Sequence, residues 1–278
     1  MSTPISPPPV TEGGRGDLPA YLSNGLVGIR VLDIPLLPGV VLVNGFTGLH
    51  PTAQVESTAQ APYPLAGDIA IDGVWLGAGP NQSNFVDQRY DFSNGELTTR
   101  FTYTARGMTA DVEVLTFCSQ KQPTLVLQEI TATLHAEAQL SLRALVDIGK
   151  VPGRVAQRKV GAFGRHTETP DGSLAWESVG GRSLCGIAYV TEFLGDPDVE
   201  PQVLDWGQEN ALSTEVRLDA RPGKRYRLRQ ITSLVPSQMH SDPDDEAARL
   251  VCRAAASGFD ALRRENRIEW NEHWKDAC

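Results

Sequence analysis

Hydrophobic and polar residues alternate along most of the chain, from about residue 18 to residue 236. The segment LTTRFTYTA shows the pattern well: Leu97, Thr99, Phe101 and Tyr103 fall on one side of an extended chain, and the residues between them fall on the other. Turn residues interrupt the alternation about every 8 to 12 residues, which is typical of antiparallel strands. The clearest hairpin signals are Asn24-Gly25, Asn94-Gly95, Arg106-Gly107 and Arg221-Pro222-Gly223.

The length of the alternating region indicates the size of the fold. Residues 18–236 are too many for an immunoglobulin-like sandwich, which needs about 100 residues. We therefore predict a mainly β protein built as a large antiparallel two-sheet β-supersandwich. Near its start, in YLSNGLVGIR, we expect Gly28 to permit a close backbone approach within the strand that follows the turn. Residues 1–17, rich in Pro, Gly, Ser and Thr, are predicted to be a flexible leader.

The pattern changes after Val235 and predicts a helical segment over residues 237–278. Asp242 followed by Pro243 is typical of a helix N-terminus, and Gly258 is expected to end or bend that helix. A second helix then places Leu262, Asn266, Trp270 and Trp274 on one stripe. Two tryptophans on one stripe predict that the helix packs against a partner surface.

Composition narrows the class of protein further. The chain has 278 residues, a formal net charge of -9 and four cysteines that lie far apart. The negative charge argues against nucleic acid and anionic membranes as partners, and no stretch approaches the roughly 20 apolar residues of a membrane span. The start of the sequence lacks the features of a secretory signal, so a cytoplasmic location with reduced thiols is the expectation.

No cluster of residues in the sequence predicts a catalytic centre. Asp111 and Glu113 share a strand face whose neighbours are typical of a wetted surface, and the acidic residues from Asp242 to Glu246 are interpreted as helix capping. The five histidines are dispersed without metal-ligand spacing, and a loose calcium site at Asp196, Asp198 and Glu200 lacks the EF-hand pattern. We predict no metal site and no cofactor.

Aromatic residues are the best indication of a carbohydrate ligand, because sugar rings stack on them. The candidates that we expect in loops are Phe46, Tyr63, Trp75 and Trp206, with core packing as the alternative for each. The segment VNGFTGLHPTAQ, residues 43–54, is polar and rich in turn residues, and it is interpreted as a loop after a buried strand.

Three segments, in this order, resemble glycoside hydrolase family 65, the group of maltose, trehalose and kojibiose phosphorylases and related α-glucosidases. YLSNGLVGIR is similar to the family's "NGYLGxR" element. QRYDFSNGELTTRFTY, followed by VEVLTFCSQKQPTLVLQEITAT, resembles its "LDLRxGxLxR" segment. Trp270 and Trp274 match the two tryptophans of an "HxxxWxxxW" linker helix, in which Asn266 replaces the histidine.

The resemblance implies a galactose-mutarotase-like supersandwich over residues 18–236 and a helical linker over 237–278, followed by an (α/α)6 barrel that this chain lacks. It implies that the catalytic glutamate lies in that barrel. It also implies that the parent enzyme cleaves an α-glucosidic bond with inversion of configuration, with water or inorganic phosphate as nucleophile. It also implies that a loop of this domain reaches toward the sugar site, so Asn44, Phe46 and His50 become substrate-side candidates, with the domain interface as the alternative position for them. A homodimer is a further implied partner.

Two other functions stay open at this point. The chain could be a stand-alone carbohydrate-binding or protein-interaction sandwich whose Trp270–Trp274 stripe docks on a separate protein. A mutarotase-like enzyme that uses sandwich carboxylates and histidines is the third interpretation, and it has weaker support because no constellation of these residues is evident.

Overall fold

A computed structural model describes residues 20–50, 52–78, 82–161, 169–207 and 210–276. The predicted leader, residues 1–17, lies outside the described residues. The strands are β1 (Ala20–Ser23), β2 (Val27–Val31), β3 (Val40–Leu49), β4 (Glu56–Ala61), β5 (Tyr63–Ile71), β6 (Val74–Trp75), β7 (Gln82–Asp91), β8 (Glu96–Ala105), β9 (Met108–Cys118), β10 (Leu125–Leu134), β11 (Ala138–Asp147), β12 (Arg154–Val160), β13 (Gly172–Glu177), β14 (Leu184–Leu194), β15 (Gln202–Leu204), β16 (Leu212–Ala220) and β17 (Arg225–Pro236). Two helices follow, α1 (Pro243–Ser257) and α2 (Phe259–Asp276).

The strands form three antiparallel sheets in the described part of the chain. The large sheet has eight strands in the order β12-β13-β14-β17-β10-β9-β8-β7, and the five-stranded sheet has the order β15-β16-β11-β5-β6. Strands β1 to β4 form a separate four-stranded sheet. The prediction of a mainly β, antiparallel sandwich is confirmed, with the first four strands set apart as a third sheet.

Three of the four predicted hairpins are confirmed, and one is wrong. The turns at Asn24-Gly25, Asn94-Gly95 and Arg106-Gly107 join the paired strands β1–β2, β7–β8 and β8–β9. The turn at residues 221–223 instead leads from β16 in the five-stranded sheet to β17 in the large sheet. Turn residues specify that the chain reverses direction, but they do not specify which strand it pairs with afterwards.

The core lies between the large sheet and the two smaller sheets. One apolar cluster joins the four-stranded sheet to the large sheet and includes Ile29, Phe46 and Ile187. A second joins the five-stranded sheet to the large sheet and includes Phe101, Leu142 and Leu228. Period-two alternation buries one side of each strand in these layers, as the sequence pattern predicts.

Helices α1 and α2 cover half of the outer face of the large sheet. Ala247, Val251 and Ala254 of α1 are buried against apolar side chains of that face, among them Phe117 and Leu127. This cover explains why β17 is buried on both faces over most of its length, although its sequence alternates.

A glycine allows the close approach of helix α1 to the sheet. A Cβ added at Gly186 in β14 would overlap the backbone of Pro243 and Asp244, where the helix begins. Helix α1 starts and ends where the sequence predicts, with Gly258 at its C-terminus. Asp242 is the N-cap residue, as predicted, but its side chain makes no capping hydrogen bond and instead accepts one from Ser241 Oγ.

The segment expected to be a loop after residue 43 is a strand. Residues 43–49 continue β3, which pairs with β4 on both sides of an irregularity between Leu42 and Thr47. Gly45 has a φ of 84°, so the turn residues of this segment form a bulge inside a strand.

Candidate functional site

The three sequence segments that resemble the family meet at one place, which we call the helix seam. It consists of helix α2, the β1–β2 turn, the β7–β8 turn and the β9–β10 loop. Asn266, at its centre, is fully buried. Its Oδ1 accepts a hydrogen bond from the Gln120 amide at 3.0 Å, and its Nδ2 donates to the Asn94 carbonyl at 2.9 Å. One side chain therefore satisfies the backbone of two separate loops.

Asn24 extends the seam to the first hairpin. Its Oδ1 accepts hydrogen bonds from the Leu26 and Val27 amides, and its Nδ2 donates to the carbonyls of Ser119 and Pro123. The β1–β2 turn is thereby attached to the same β9–β10 loop that Asn266 holds.

The glycines of these two hairpins have different roles. Gly25 and Gly95 have φ values of 90° and 63°, which supports their assignment as turn glycines. The expectation of a close approach at Gly28 is wrong, because the nearest atom to an added Cβ would be Ser23 Oγ at 3.9 Å.

The tryptophan pair packs on this domain itself. A Cβ added at Gly95 would overlap Trp270 Nε1. Trp274 Nε1 donates a hydrogen bond to the Phe92 carbonyl at 3.0 Å. The partner surface predicted for the stripe is thus the β7–β8 turn of the same chain. The stripe therefore does not favour docking on a separate protein.

A buried carboxylate ties α2 to the start of strand β8. Glu96 accepts hydrogen bonds from both Arg263 and Arg267, with its shortest contacts at 2.6 Å to each guanidinium. Burial alone would raise the pKa of Glu96, but hydrogen bonds and charge from Arg267 and Arg263 outweigh it and hold the pKa below its usual value. The carboxylate is therefore ionised at neutral pH and serves as an anchor.

Arg229 of β17 fixes the start of the same helix. Its guanidinium binds Glu129 and Glu192 of the sheet and donates to both carboxylate oxygens of Asp260 at 2.9 and 3.2 Å. It also stacks on the Phe259 ring at 4.8 Å from the ring centroid. Burial lowers the pKa of Arg229, but its carboxylate partners outweigh burial and raise that pKa.

The three substrate-side candidates do not form a cluster with the seam. Phe46 is fully buried in the core, which is the alternative that the sequence left open for it. Asn44 and His50 are exposed on β3 and at its end. His50 Nδ1 accepts hydrogen bonds from the Thr52 and Ala53 amides.

The carboxylates singled out in the sequence have structural partners. Glu113 binds Arg100 at 2.7 Å, and Asp111 lies 2.8 Å from His135 Nε2. The Asp111 and His135 side chains are 60% and 54% exposed, so this pair lies on the solvent-facing surface of the sheet. Asp244 and Asp245 bind Lys159 of β12 and so link α1 to the sheet edge.

One aromatic cluster was missed by sequence reasoning. Arg143 stacks on Trp75 at 3.6 Å and lies 4.8 Å from the Trp206 ring centroid, while its Nη2 binds Glu215 at 2.6 Å. Two of the aromatic candidates thus flank one arginine, and a third, Tyr63, is buried in the core. The alternation placed Arg143 on the polar face of β11. Only the pairing of β6 with β5, of β15 with β16, and of both β5 and β16 with β11 brings the two rings to it.

Asp171 is the most perturbed carboxyl of the described chain. Burial raises its pKa to about 6, although Thr191 and Thr214 donate hydrogen bonds to it. The side chain lies between β13, β14 and β16, where these hydroxyls satisfy it. We interpret it as a structural group.

Other kinds of site are not found in the described residues. No three His, Cys, Asp or Glu side chains in that part of the chain are grouped to hold a metal ion. Neither α1 nor α2 combines the length and apolar character needed to cross a membrane.

A family model and a known protein both match most of this chain. Residues 20–273 match the family model described as glycosyl hydrolase family 65, N-terminal domain. The chain is 22% identical over 257 residues to a kojibiose hydrolase of Flavobacterium johnsoniae, an alignment that covers 91% of this chain and 37% of that protein.

A solved structure shares the fold. A candidate kojibiose phosphorylase from the human microbiome superposes with a TM-score of 0.68 at 12% identity, covering 90% of this chain and 35% of that one. A bacterial glucoamylase in complex with acarbose superposes with a TM-score of 0.46 at 8% identity, covering 91% and 36%. The chain thus spans little more than a third of the length of these relatives. Since the family match extends over nearly all of its described residues, the chain belongs to the glycosyl hydrolase family 65 N-terminal domain family.

Proposed function

We propose that this chain is the non-catalytic N-terminal domain of a family-65 carbohydrate-active enzyme. Residues 18–236 form its sandwich, and residues 237–278 lead to a catalytic (α/α)6 barrel that carries the general acid. The domain supports the barrel and shapes one edge of the sugar site. The parent reaction is inverting cleavage of an α-glucosidic bond, by water in a hydrolase or by inorganic phosphate in a phosphorylase.

The helix seam is the observation that carries this proposal. A linker can position a following domain only if its direction is fixed, and Asn266, Glu96 and Arg229 fix α2 through buried or charge-assisted hydrogen bonds. The kojibiose hydrolase, of which the chain spans 37%, supports an α-glucoside as substrate of the parent enzyme.

Two exposed side chains near the end of strand β3 are candidates for contact with the sugar. Asn44 and His50 are the side chains that we assign to the sugar side, because both are exposed, Asn44 on β3 and His50 directly after it. A homodimer and a cytoplasmic location complete the assignment.

Enzyme assays test the proposal directly. The 278-residue chain and the product of the uninterrupted reading frame are assayed with kojibiose and other α-glucosides, with and without inorganic phosphate. We expect no turnover by the 278-residue chain and cleavage by the longer product. Turnover by the short chain, or a native stop codon directly after Cys278, would refute the proposal.

A carbohydrate-binding sandwich that acts alone is the second candidate. The Trp75–Arg143–Trp206 cluster favours it, because Trp206 keeps 40% of its surface exposed beside a charged group. Saturable binding of neutral α-glucosides that is lost in Trp206→Ala, in a protein whose frame ends at Cys278, would establish it instead.

A further inference from the structure

The outer face of the large sheet is divided into an apolar half and a polar half. Along β9 this face presents Asp111 and Glu113 first and then Leu115 and Phe117, which lie under the helices. On β10 and β17 the side chains of this face also change from polar to apolar at the same level, where Glu129 binds Arg229. The polar half is not covered by α1 or α2, and it forms a groove of about 630 Å³.

Strand register arranges the groove in two transverse rows. In one row Arg100, Glu113, Thr131 and Arg227 are successive partners across β8, β9, β10 and β17. In the next row Thr102, Asp111, Thr133 and Arg225 are partners in the same order. The groove therefore has carboxylates on β9, threonine hydroxyls and the Arg229-bound carboxylate of Glu129 on β10, and two arginines on β17.

The charges on the two sides are not equally satisfied. Glu113 is bound by Arg100 and Asp111 by His135. Arg225 and Arg227 form no ion pair within the described ranges, and Arg227 Nε is buried without a hydrogen-bond partner. Two arginines on the β17 side thus lack an ion-pair partner among the described residues, in a chain whose formal net charge is -9.

The spacing sets the size and chemistry of a fitting ligand. Strands β9 and β17 lie on either side of β10, so their side chains are separated by about 9 to 10 Å. An anionic group satisfies two arginines, because guanidinium groups bind phosphate through charge-assisted hydrogen bonds. Hydroxyl groups satisfy the threonines and the free lone pairs of the carboxylates, which accept but do not donate.

We propose that this groove binds a saccharide monophosphate. The phosphate lies on Arg225 and Arg227, and the ring hydroxyls bind Thr131, Thr133 and Asp111. The site belongs to the sandwich alone. It does not depend on the presence of a catalytic barrel, so its failure and the failure of the proposed function are separate outcomes.

Calorimetric titration of the 278-residue chain tests this assignment with three probes: glucose 6-phosphate, glucose and inorganic phosphate. At about 0.1 M ionic strength we expect glucose 6-phosphate to bind saturably and about tenfold more tightly than either other probe. Arg225→Gln/Arg227→Gln should weaken it by about tenfold or more. The control Arg182→Gln/Arg264→Gln removes two exposed arginines outside the groove and should leave binding unchanged.

Asp111→Asn separates the two halves of the ligand. Its side chain is exposed, so the fold should persist, and circular dichroism verifies this for every variant. We expect it to weaken glucose 6-phosphate binding while leaving inorganic phosphate binding unchanged. The proposal is overturned if no probe binds saturably up to about 20 mM, if the two double variants behave alike, or if inorganic phosphate binds as tightly as the sugar phosphate.

Discussion

Asn266→Ala should destabilise the protein far more than the removal of an amide elsewhere on the same helix. In the native state Asn266 is fully buried and bonds to the Gln120 amide and the Asn94 carbonyl. Alanine removes both partners without admitting a replacement, and each buried group left unpaired costs about 1 to 3 kcal/mol. The higher helix propensity of alanine offsets about 0.5 kcal/mol of this loss. We expect the free energy of unfolding to fall by about 3 kcal/mol.

Asn271→Ala is the matched control. Asn271 is exposed, and its Nδ2 donates only to the Arg267 carbonyl of its own helix. Its replacement should change the free energy of unfolding by no more than about 0.5 kcal/mol. Urea denaturation followed by tryptophan fluorescence suits the comparison, since Trp270 and Trp274 lie on the same helix.

Hydrogen exchange locates the effect. The Gln120 amide should lose protection in Asn266→Ala and keep it in Asn271→Ala, because only the first substitution removes its acceptor. If both variants unfold at the same urea concentration, or if the Gln120 amide stays protected in Asn266→Ala, the seam is not held by this side chain and the reasoning fails.

Three further substitutions test the remaining interactions. Gly95→Ala should cost about 3 kcal/mol, against about 1 for Gly107→Ala, since both glycines have positive φ but only Gly95 faces Trp270; equal costs in thermal unfolding would contradict this. The pKa of Asp171 is raised from 3.8 to about 6, so the native state holds its proton longer than the unfolded state, and this group lowers stability by up to about 3 kcal/mol as pH rises from 4 to 7. Asp171→Asn should remove that decline, and an unchanged pH slope in urea titrations would count against the burial argument. Glu96→Gln should cost about 2 kcal/mol at pH 7, and because the pKa of Glu96 is depressed, its difference from the native chain should shrink as pH falls through the glutamate range; a difference independent of pH would show that its charge is not involved.

Local signals predicted the strands and most of the hairpins. Alternation and turn chemistry depend on neighbouring residues, so Asn94-Gly95 and Arg106-Gly107 could be assigned from the sequence. The partner of β17 could not, because a strand's pairing depends on distant segments. For the same reason nothing local distinguished a bulged strand at Gly45 from a loop.

The site was predicted in part. The stripe of Asn266, Trp270 and Trp274 was visible as helical spacing, but its partners were not. Asn94, which Asn266 binds, lies 172 residues earlier in the sequence. The polar groove was hidden because its charges lie on β8, β9, β10 and β17, each of which reads as an ordinary half-exposed strand. Only the register of these four strands places the charges beside one another on one surface.

Gly186 has a consequence for how the helices can move. The helix pair contacts the sandwich at three anchors: Gly186 against the start of α1, Arg229 against the start of α2, and the β7–β8 turn against Trp270. Strands β14 and β17 are neighbours, whereas the β7–β8 turn is at the opposite side of the sheet, so the anchors are spread across the width of the large sheet. Anchors at such separation oppose rotation of the helix pair about any one of them. We therefore expect the helices to move together with the sandwich.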